Sequence, residues 1–410
     1  MAHLLLLELP GANDYSILED AVLRGHRVTF FTANLALYPQ PSPLNLACEL
    51  ICISPFDYAS FEQAALTVHH DTPFDAILCL IDIRMIEAAR LAQRLNLKFL
   101  NLKTATLIRD KFSVRQHLAQ FGIRQPAFAL ATTNPELQAA VKTIGFPVLI
   151  KPSDGYGSQN ILTIKSEDEY AALAVPFANY LPLKTDYGLG VCANDRLVIE
   201  AFIQGEVIGC ETFTVNGRHL FLGINDKVFF PPPCFGIKGS CFPSDRFDTG
   251  MIRDYVFQIL DALQFDFGAA HTEIIITPDG PYLVEVNPRL IGAHIPRLLG
   301  FALDRSIYTD VINLHLGSDL AELRNTRPPR VAVSRWITSN LYGTIKAVIT
   351  PPATQPGIMA VHLFKKTGDA TRPPFENSDR LGYVMVTADT QANAEAIADD
   401  FVANTQILLE

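Results

Sequence analysis

The stretch His271-Thr272-Glu273-Ile274-Ile275-Ile276-Thr277-Pro278-Asp279-Gly280-Pro281-Tyr282-Leu283-Val284-Glu285-Val286-Asn287-Pro288-Arg289 reads as two strands joined by a tight turn. β-Branched and aromatic residues dominate both halves, and Pro278-Asp279-Gly280 has the chemistry of a hairpin loop. With three residues in the loop, Thr277 pairs with Pro281, and counting four residues outward sets Glu273 opposite Glu285. Directly opposed Cβ atoms lie roughly 4.5–5.5 Å apart. Asn287 shares the face of Glu285 because side chains alternate along a strand. Two carboxylates so placed repel, which makes physical sense if a cation sits between them. Hard oxygen ligands favour Mg²⁺ shared with substrate phosphates, with Mn²⁺ as a substitute ion. The plainer alternative is a hairpin with a solvated acidic face.

Upstream, Pro147 to Lys151 reads as a buried strand running into Pro152-Ser153-Asp154-Gly155-Tyr156-Gly157-Ser158-Gln159-Asn160. Glycines let backbone N–H groups approach phosphate oxygens, and Lys151 adds a point charge. Such a turn is also a common surface feature. Glu200 interrupts the apolar strand Leu197 to Gln204; it is either buried with partners or an edge residue in water. Residues 104–121 read as one amphipathic helix carrying Arg109, Asp110, Lys111 and Arg115. Val207–Val215 and His219–Ile224 flank Asn216-Gly217, a strong hairpin signal. Helices are expected around 247–263 and 391–401, and strands near 331–337 and 382–386. Val228 to Pro243 shows no period; its prolines and phenylalanines (Phe229, Phe230, Phe235, Phe242) suit a cover over a small-molecule pocket.

At the N-terminus, Leu4–Leu9, Arg27–Thr32 and Ala76–Leu80 alternate with helical periods at 17–22 and 84–95. This alternation predicts a parallel sheet covered on both faces and ending near Leu102. No GxGxxG follows the first strand, so the dinucleotide-binding reading has little support. The first apolar run is too short and insufficiently basic for a signal peptide, and no stretch is long enough to span a bilayer. A chain of 410 residues exceeds one core, so two or three packed units are expected. A net charge of −10 without basic clusters argues against a nucleic-acid partner. The seven cysteines are scattered without CxxC pairs, as reduced thiols of a cytoplasmic protein would be.

Taken in order, Lys111, Val148-Leu149-Ile150-Lys151-Pro152 with its glycine loop, Glu200-Ala201-Phe202-Ile203-Gln204-Gly205 and Glu285-Val286-Asn287-Pro288-Arg289 resemble the ATP-grasp superfamily. The resemblance implies an α/β fold, α+β in the catalytic part. Its parts would be an N-terminal pre-ATP-grasp domain over 1–103, a small ATP-grasp subdomain over 104–190, and a large subdomain over 191–410 with a C-terminal closure. It implies that Lys111, Lys151, Gly155, Gly157 and Ser158 contact ATP phosphates. Glu200, Phe202 and Ile203 would line the adenine, and Glu206 would face the ribose. Glu273, Glu285 and Asn287 would hold Mg²⁺, with Lys227 at the phosphate end and Arg289 on the reacting carboxylate. Gly268-Ala269-Ala270-His271-Thr272-Glu273 and Asn287-Pro288-Arg289-Leu290-Ile291-Gly292 are most similar to bacterial L-amino-acid ligases. The implied reaction joins an L-amino acid to a second amino acid through an acyl phosphate, releasing ADP and phosphate, in an enzyme that acts as a possible homodimer. Rival expectations are a biotin-carboxylase-like ligase, a kinase-like phosphotransferase and a nucleotide-binding regulatory protein.

Overall fold

A computed structural model describes residues 1–9, 15–38, 43–155, 160–177, 189–230, 237–374 and 379–410. The predicted turn at 10–13 and the residues Gly157, Ser158, Phe235 and Gly236 lie outside them.

The N-terminal parallel sheet forms as expected from the alternating pattern. Its order is Glu49–Cys52, Arg27–Thr32, His3–Leu7, Ala76–Cys79, all parallel. The first strand reads as an unbroken apolar run because both its faces are covered. Leu5 and Leu7 enter one core while Leu4 and Leu6 enter another. The strand Glu49–Cys52 and the helix Tyr58–Asp71 escape the sequence reading. That strand is half-exposed and only four residues long, so it carries little apolar signal.

A four-stranded sheet follows, ordered Phe128–Ala131, Leu197–Ala201, Val148–Pro152, Leu162–Ile164. Glu200 therefore sits on a strand with a neighbour on each side, which removes the edge-strand reading. The third unit is an eight-stranded antiparallel sheet that begins Gly280–Asn287, Phe267–Thr277, Glu206–Val215, Arg218–Phe229 and Ile237–Phe242. It continues through Val331–Ile337, Gly382–Ala388 and Ile358–Leu363. Asn216 and Gly217 take positive φ of 51° and 69°, as a two-residue turn of this kind demands. The helices Ile295–Leu303 and Ile307–Leu316, absent from the sequence reading, pack against the N-terminal core.

Three expectations are corrected. The supposed helix over 104–121 is two helices, Leu102–Ile108 and Lys111–Ala119. Asp110 breaks the run because its carboxylate caps the second, accepting from the Ser113 N–H at 2.7 Å. Lys111 is thereby set on the first helical turn, with its N–H donating to the Ser153 carbonyl at 2.7 Å. Second, the segment 228–243 is not aperiodic throughout, since Val228 and Phe229 pair with Gly239 and Ile237. Phe242 is fully buried in the core and does not wall a pocket. Third, the turn after Thr277 is shorter than expected: Thr277 pairs with Gly280 and Ile276 with Pro281. A bulge between Glu273 and Ile274 absorbs the difference, and Glu273 still pairs with Glu285. Two misreadings cancel because the bulge adds, at Val284, the residue that the turn lacks.

The Asp110 carboxylate also accepts from Ser153 Oγ at 2.8 Å and pairs with Arg196 at 3.0 Å. Asp110→Ala is expected to lower stability by about 1–2 kcal/mol through the lost cap. Asp110→Asn should lose less, because an amide oxygen still caps. Urea denaturation of both variants checks this, and equal losses would contradict the capping account.

Candidate functional site

A cavity of about 470 Å³ opens where the four-stranded sheet, the eight-stranded sheet and the end of the N-terminal sheet meet. Lys111, Lys151, Gly155, Lys227, Glu273, Glu285, Asn287 and Arg289 all line it. Residues from 111 to 289 thus converge because three sheets present their ends to one space.

Its centre is a chain of charges. Glu273 accepts from Lys227 Nζ at 2.6 Å and lies 3.1 Å from His271 Nε2. The other ring nitrogen, His271 Nδ1, is 2.6 Å from the Glu211 carboxylate. His271 and Glu211 are direct cross-strand partners, and Gly209 makes room for the ring. A Cβ on Gly209 would stand 2.5 Å from His271 Cε1. Burial alone would lower the imidazole pKa, but Glu211 and Glu273 outweigh it and raise it to about 9. Burial likewise opposes ionisation of Glu273, yet Lys227 and His271 hold its carboxyl well below the ordinary range. Across the hairpin, Lys111 lies 3.4 Å from Glu285, and Asn287 Nδ2 donates to Glu285 at 3.1 Å. Lys111 Nζ also donates to the Gly155 carbonyl at 2.8 Å.

A hard divalent cation fits this set. Both carboxylates keep part of their surface open, 22% for Glu273 and 28% for Glu285, and neither is locked in an apolar wall. Each also faces a lysine, Lys227 or Lys111, which can move on its flexible stem.

Beside this centre lies a fully buried trio. Glu200, 4% exposed, accepts from Arg115 Nε at 2.9 Å and from Lys151 Nζ at 2.8 Å. Burial would raise its pKa, but the two cations reverse this and bring it to about 2. Arg115 Nη2 also donates to the Val284 carbonyl at 2.7 Å, gripping the bulge residue that sets the hairpin register.

The remaining candidates stand apart. Glu200, Phe202, Ile203 and Glu206 are not among the described residues that line the cavity. Phe202 is 42% exposed, and its N–H donates to the Pro147 carbonyl. Glu206 is exposed and pairs with Arg246 at 2.6 Å. Arg289 departs from expectation in its backbone. The strand ends at Asn287, and the Arg289 N–H turns back to the Asn287 carbonyl at 2.8 Å, so the extended run does not continue through Pro288. Its guanidinium contacts Asp82 from the N-terminal unit, with Nε and Nη2 at 2.7 and 2.6 Å from one carboxylate oxygen. Sequence reading missed Asp82, Glu211, His271 and Arg115 as site residues. For His271 a signal existed: it stands two residues before Glu273, hence on the same strand face.

Glu200 carries a pH signature. Its pKa is depressed in the fold from an ordinary 4.5 to about 2, so its stabilisation is present above 4.5 and is lost as pH falls towards 2. The stability gap between the native chain and Glu200→Gln should therefore narrow across that interval in denaturant titrations. A gap independent of pH there would place the carboxylate's charge elsewhere.

Comparison with known proteins adds three findings. Residues 144–296 match the ATP-grasp domain family, and residues 335–410 match the family described as L-amino acid ligase C-terminal domain 2. The chain is 30% identical over 303 residues to the uncharacterized protein y4rH of Sinorhizobium fredii, covering 70% of this chain and 58% of that one. It therefore spans little more than half of that relative's length. It is 25% identical over 306 residues to the L-arginine-specific L-amino acid ligase of Bacillus subtilis, covering 72% of this chain and 71% of the other. Among solved structures, an L-amino acid ligase from Bacillus licheniformis superposes with a TM-score of 0.82 at 22% identity. That match covers 100% of this chain and 99% of the other. At that identity the match speaks for the fold alone. Among the described residues, no helix is long and apolar enough to cross a membrane, and the six described cysteines are all unpaired.

Proposed function

Since the chain has the ATP-grasp fold and carries an ATP-grasp domain followed by an L-amino acid ligase C-terminal domain, we propose that it is an ATP-dependent carboxylate–amine ligase whose substrates are amino acids. The observation that carries the reading is the apposition of Glu273 and Glu285 in a cavity that also holds Lys111, Lys151, Lys227 and Arg289. Oxygen ligands for a divalent ion and cations for phosphate share one space.

In the proposed reaction a carboxylate oxygen attacks the γ-phosphorus of ATP, expelling ADP and forming an acyl phosphate. An amine then attacks the acyl carbon, loses a proton and expels inorganic phosphate. Bound by Glu273, Glu285 and Asn287, Mg²⁺ supplies charge neutralisation for the phosphates. Lys111 and Lys227 then serve the phosphate oxygens in place of the carboxylates they now face. Lys151 stays at the cavity wall under the hold of Glu200, so its ammonium is positioned and not free to swing. Gly155 ends the described part of the loop above it, and Gly157 and Ser158 complete the proposed phosphate cradle. Phe202, Ile203 and Glu206 remain the proposed adenosine contacts. Arg289 faces the acyl centre, oriented by Asp82, and its planar N–H groups stabilise the oxyanion that develops as the amine adds. Little covalent chemistry is asked of the protein; its contribution is position and charge.

Two measurements test this. Incubation with ATP, Mg²⁺ and a matrix of amino-acid pairs should release ADP and phosphate, with ligated products visible by mass spectrometry; stoichiometric AMP and pyrophosphate would rule the acyl-phosphate route out. Glu285→Gln should lower ADP release by more than about 100-fold at millimolar Mg²⁺ while the fold persists, because a charged ligand is lost. Near-native turnover of that variant would put the ion elsewhere.

A further inference from the structure

Glu273 has two donors, and both use the same oxygen. Lys227 Nζ lies 2.6 Å and His271 Nε2 3.1 Å from Glu273 Oε1, so neither contact occupies Oε2. The two donors differ in freedom. Lys227 carries its ammonium on a flexible stem and, in the reaction proposed above, turns to phosphate. His271 has a short side chain, and its ring is held from the far side, where Nδ1 lies 2.6 Å from Glu211 Oε1. A ring with a carboxylate at each nitrogen can donate to both.

The positions involved form a square on one face of the large sheet. His271 is the cross-strand partner of Glu211, and Glu273 that of Gly209. Glycine is needed at the fourth corner, since a Cβ on Gly209 would stand 2.5 Å from His271 Cε1, the carbon between the two nitrogens. The ring therefore lies over Gly209 with its nitrogens spread between the two carboxylates. Glu211 and His271 are both buried, and among the described residues Glu211 Oε2 has no hydrogen-bond partner. A carboxylate buried with a single partner costs stability. What Glu211 does in return is aim the ring.

Among the described residues, no three His, Cys, Asp or Glu side chains are placed to hold an ion unaided. In the reading above, Mg²⁺ relies on Glu273, Glu285, Asn287 and substrate phosphate, and with so few protein oxygens the aim of each one matters. Resting on that reading, we propose that Glu211 is a positioning residue for the metal site: it holds His271 as a fixed donor to Glu273 Oε1, which presents Glu273 Oε2 to the divalent ion once Lys227 has turned to phosphate. Both ring nitrogens stay engaged, so the imidazole is kept out of the ligand set. The ligands remain oxygens, as Mg²⁺ prefers.

The test reads nucleotide binding to the full chain by calorimetry, with ADP carried by Mn²⁺ and with ADP in EDTA. The native chain should bind Mn²⁺–ADP more tightly than metal-free ADP. Glu211→Leu removes the partner of Nδ1 and should weaken Mn²⁺–ADP by about 10–100-fold while metal-free ADP binds as before. Gly209→Ala should act in the same direction, because it pushes the ring aside without removing a polar group, and it answers the question if Glu211→Leu does not fold. Glu211→Gln should stay within about threefold of the native chain, since an amide can accept from Nδ1 or donate to it and so keeps the Nε2–H on Glu273. Native-like Mn²⁺–ADP affinity in folded Glu211→Leu or Gly209→Ala, or equal weakening of both forms of ADP, overturns the assignment and leaves the metal reading standing. A loss in Glu211→Gln as large as in Glu211→Leu overturns it as well, since charge and not aim would then be at work. If the ion adds nothing to ADP affinity in the native chain, the metal reading falls and this assignment falls with it.

Discussion

Backbone pairing forces Glu273 and Glu285 to face each other, and the rest of the site is a response to that repulsion. Two like charges at opposed sheet positions are unfavourable unless compensated. Here the compensation comes from different elements on each side. Lys227, two strands away from Glu273 in the sheet, meets it directly, and Lys111 from the first turn of a helix meets Glu285. His271 adds positive charge and is itself held by Glu211, so the acidic pair is tied into the sheet and does not hang from it. Lysines suit this task because their stems are long and their ammonium groups rotate freely. They can exchange a carboxylate for a phosphate with small movements.

The second constraint is the buried trio of Arg115, Glu200 and Lys151. Taking three charges out of water is costly, and such a group persists when opposite charges and hydrogen bonds offset that cost. This one joins three elements: the helix Lys111–Ala119, the middle of the four-stranded sheet, and the bulge at Val284. The hairpin register that opposes Glu273 to Glu285 is thus gripped by the same arginine that neutralises Glu200. Small and large sheets are connected through charge as well as through packing.

Arg289 and Asp82 form a third link, from the hairpin's end to the end of the N-terminal parallel sheet. Ligands of open α/β sheets gather beyond the carboxyl ends of the strands, and Asp82 stands just past the strand Ala76–Cys79. The N-terminal unit therefore reaches the cavity with a charged group and with Leu80. Trp336, which also lines the cavity, packs against His294 at the start of the helix Ile295–Leu303 and against Tyr383 on the neighbouring strand, each more than 40 residues away in sequence.

The amino-acid sequence by itself determined the elements whose signal is local. The parallel N-terminal strands are unbroken apolar runs, Asn216-Gly217 is a turn by its own backbone preference, and alternation along 271–289 sets Glu273, Glu285 and Asn287 on one face. Each of these follows from an unbroken apolar run, from a period of two or from the steric freedom of one residue. The tertiary structure alone decided what depends on distant partners. Asp110 splits a helix that periodicity reads as continuous, because its carboxylate caps the second helix and is held there by Ser153 and Arg196 from elsewhere in the chain. The bulge at Val284 is invisible in a strand of uniform apolar character and is gripped by Arg115, 169 residues away. Glu200 is ambiguous as a lone acid in an apolar strand, and only the arrival of Arg115 and Lys151 makes it buried and ionised. Arg289 likewise reads as a strand residue until Asp82 claims its guanidinium. Burial of charge is a property of the assembled neighbours, whereas strand periodicity is a property of the chain.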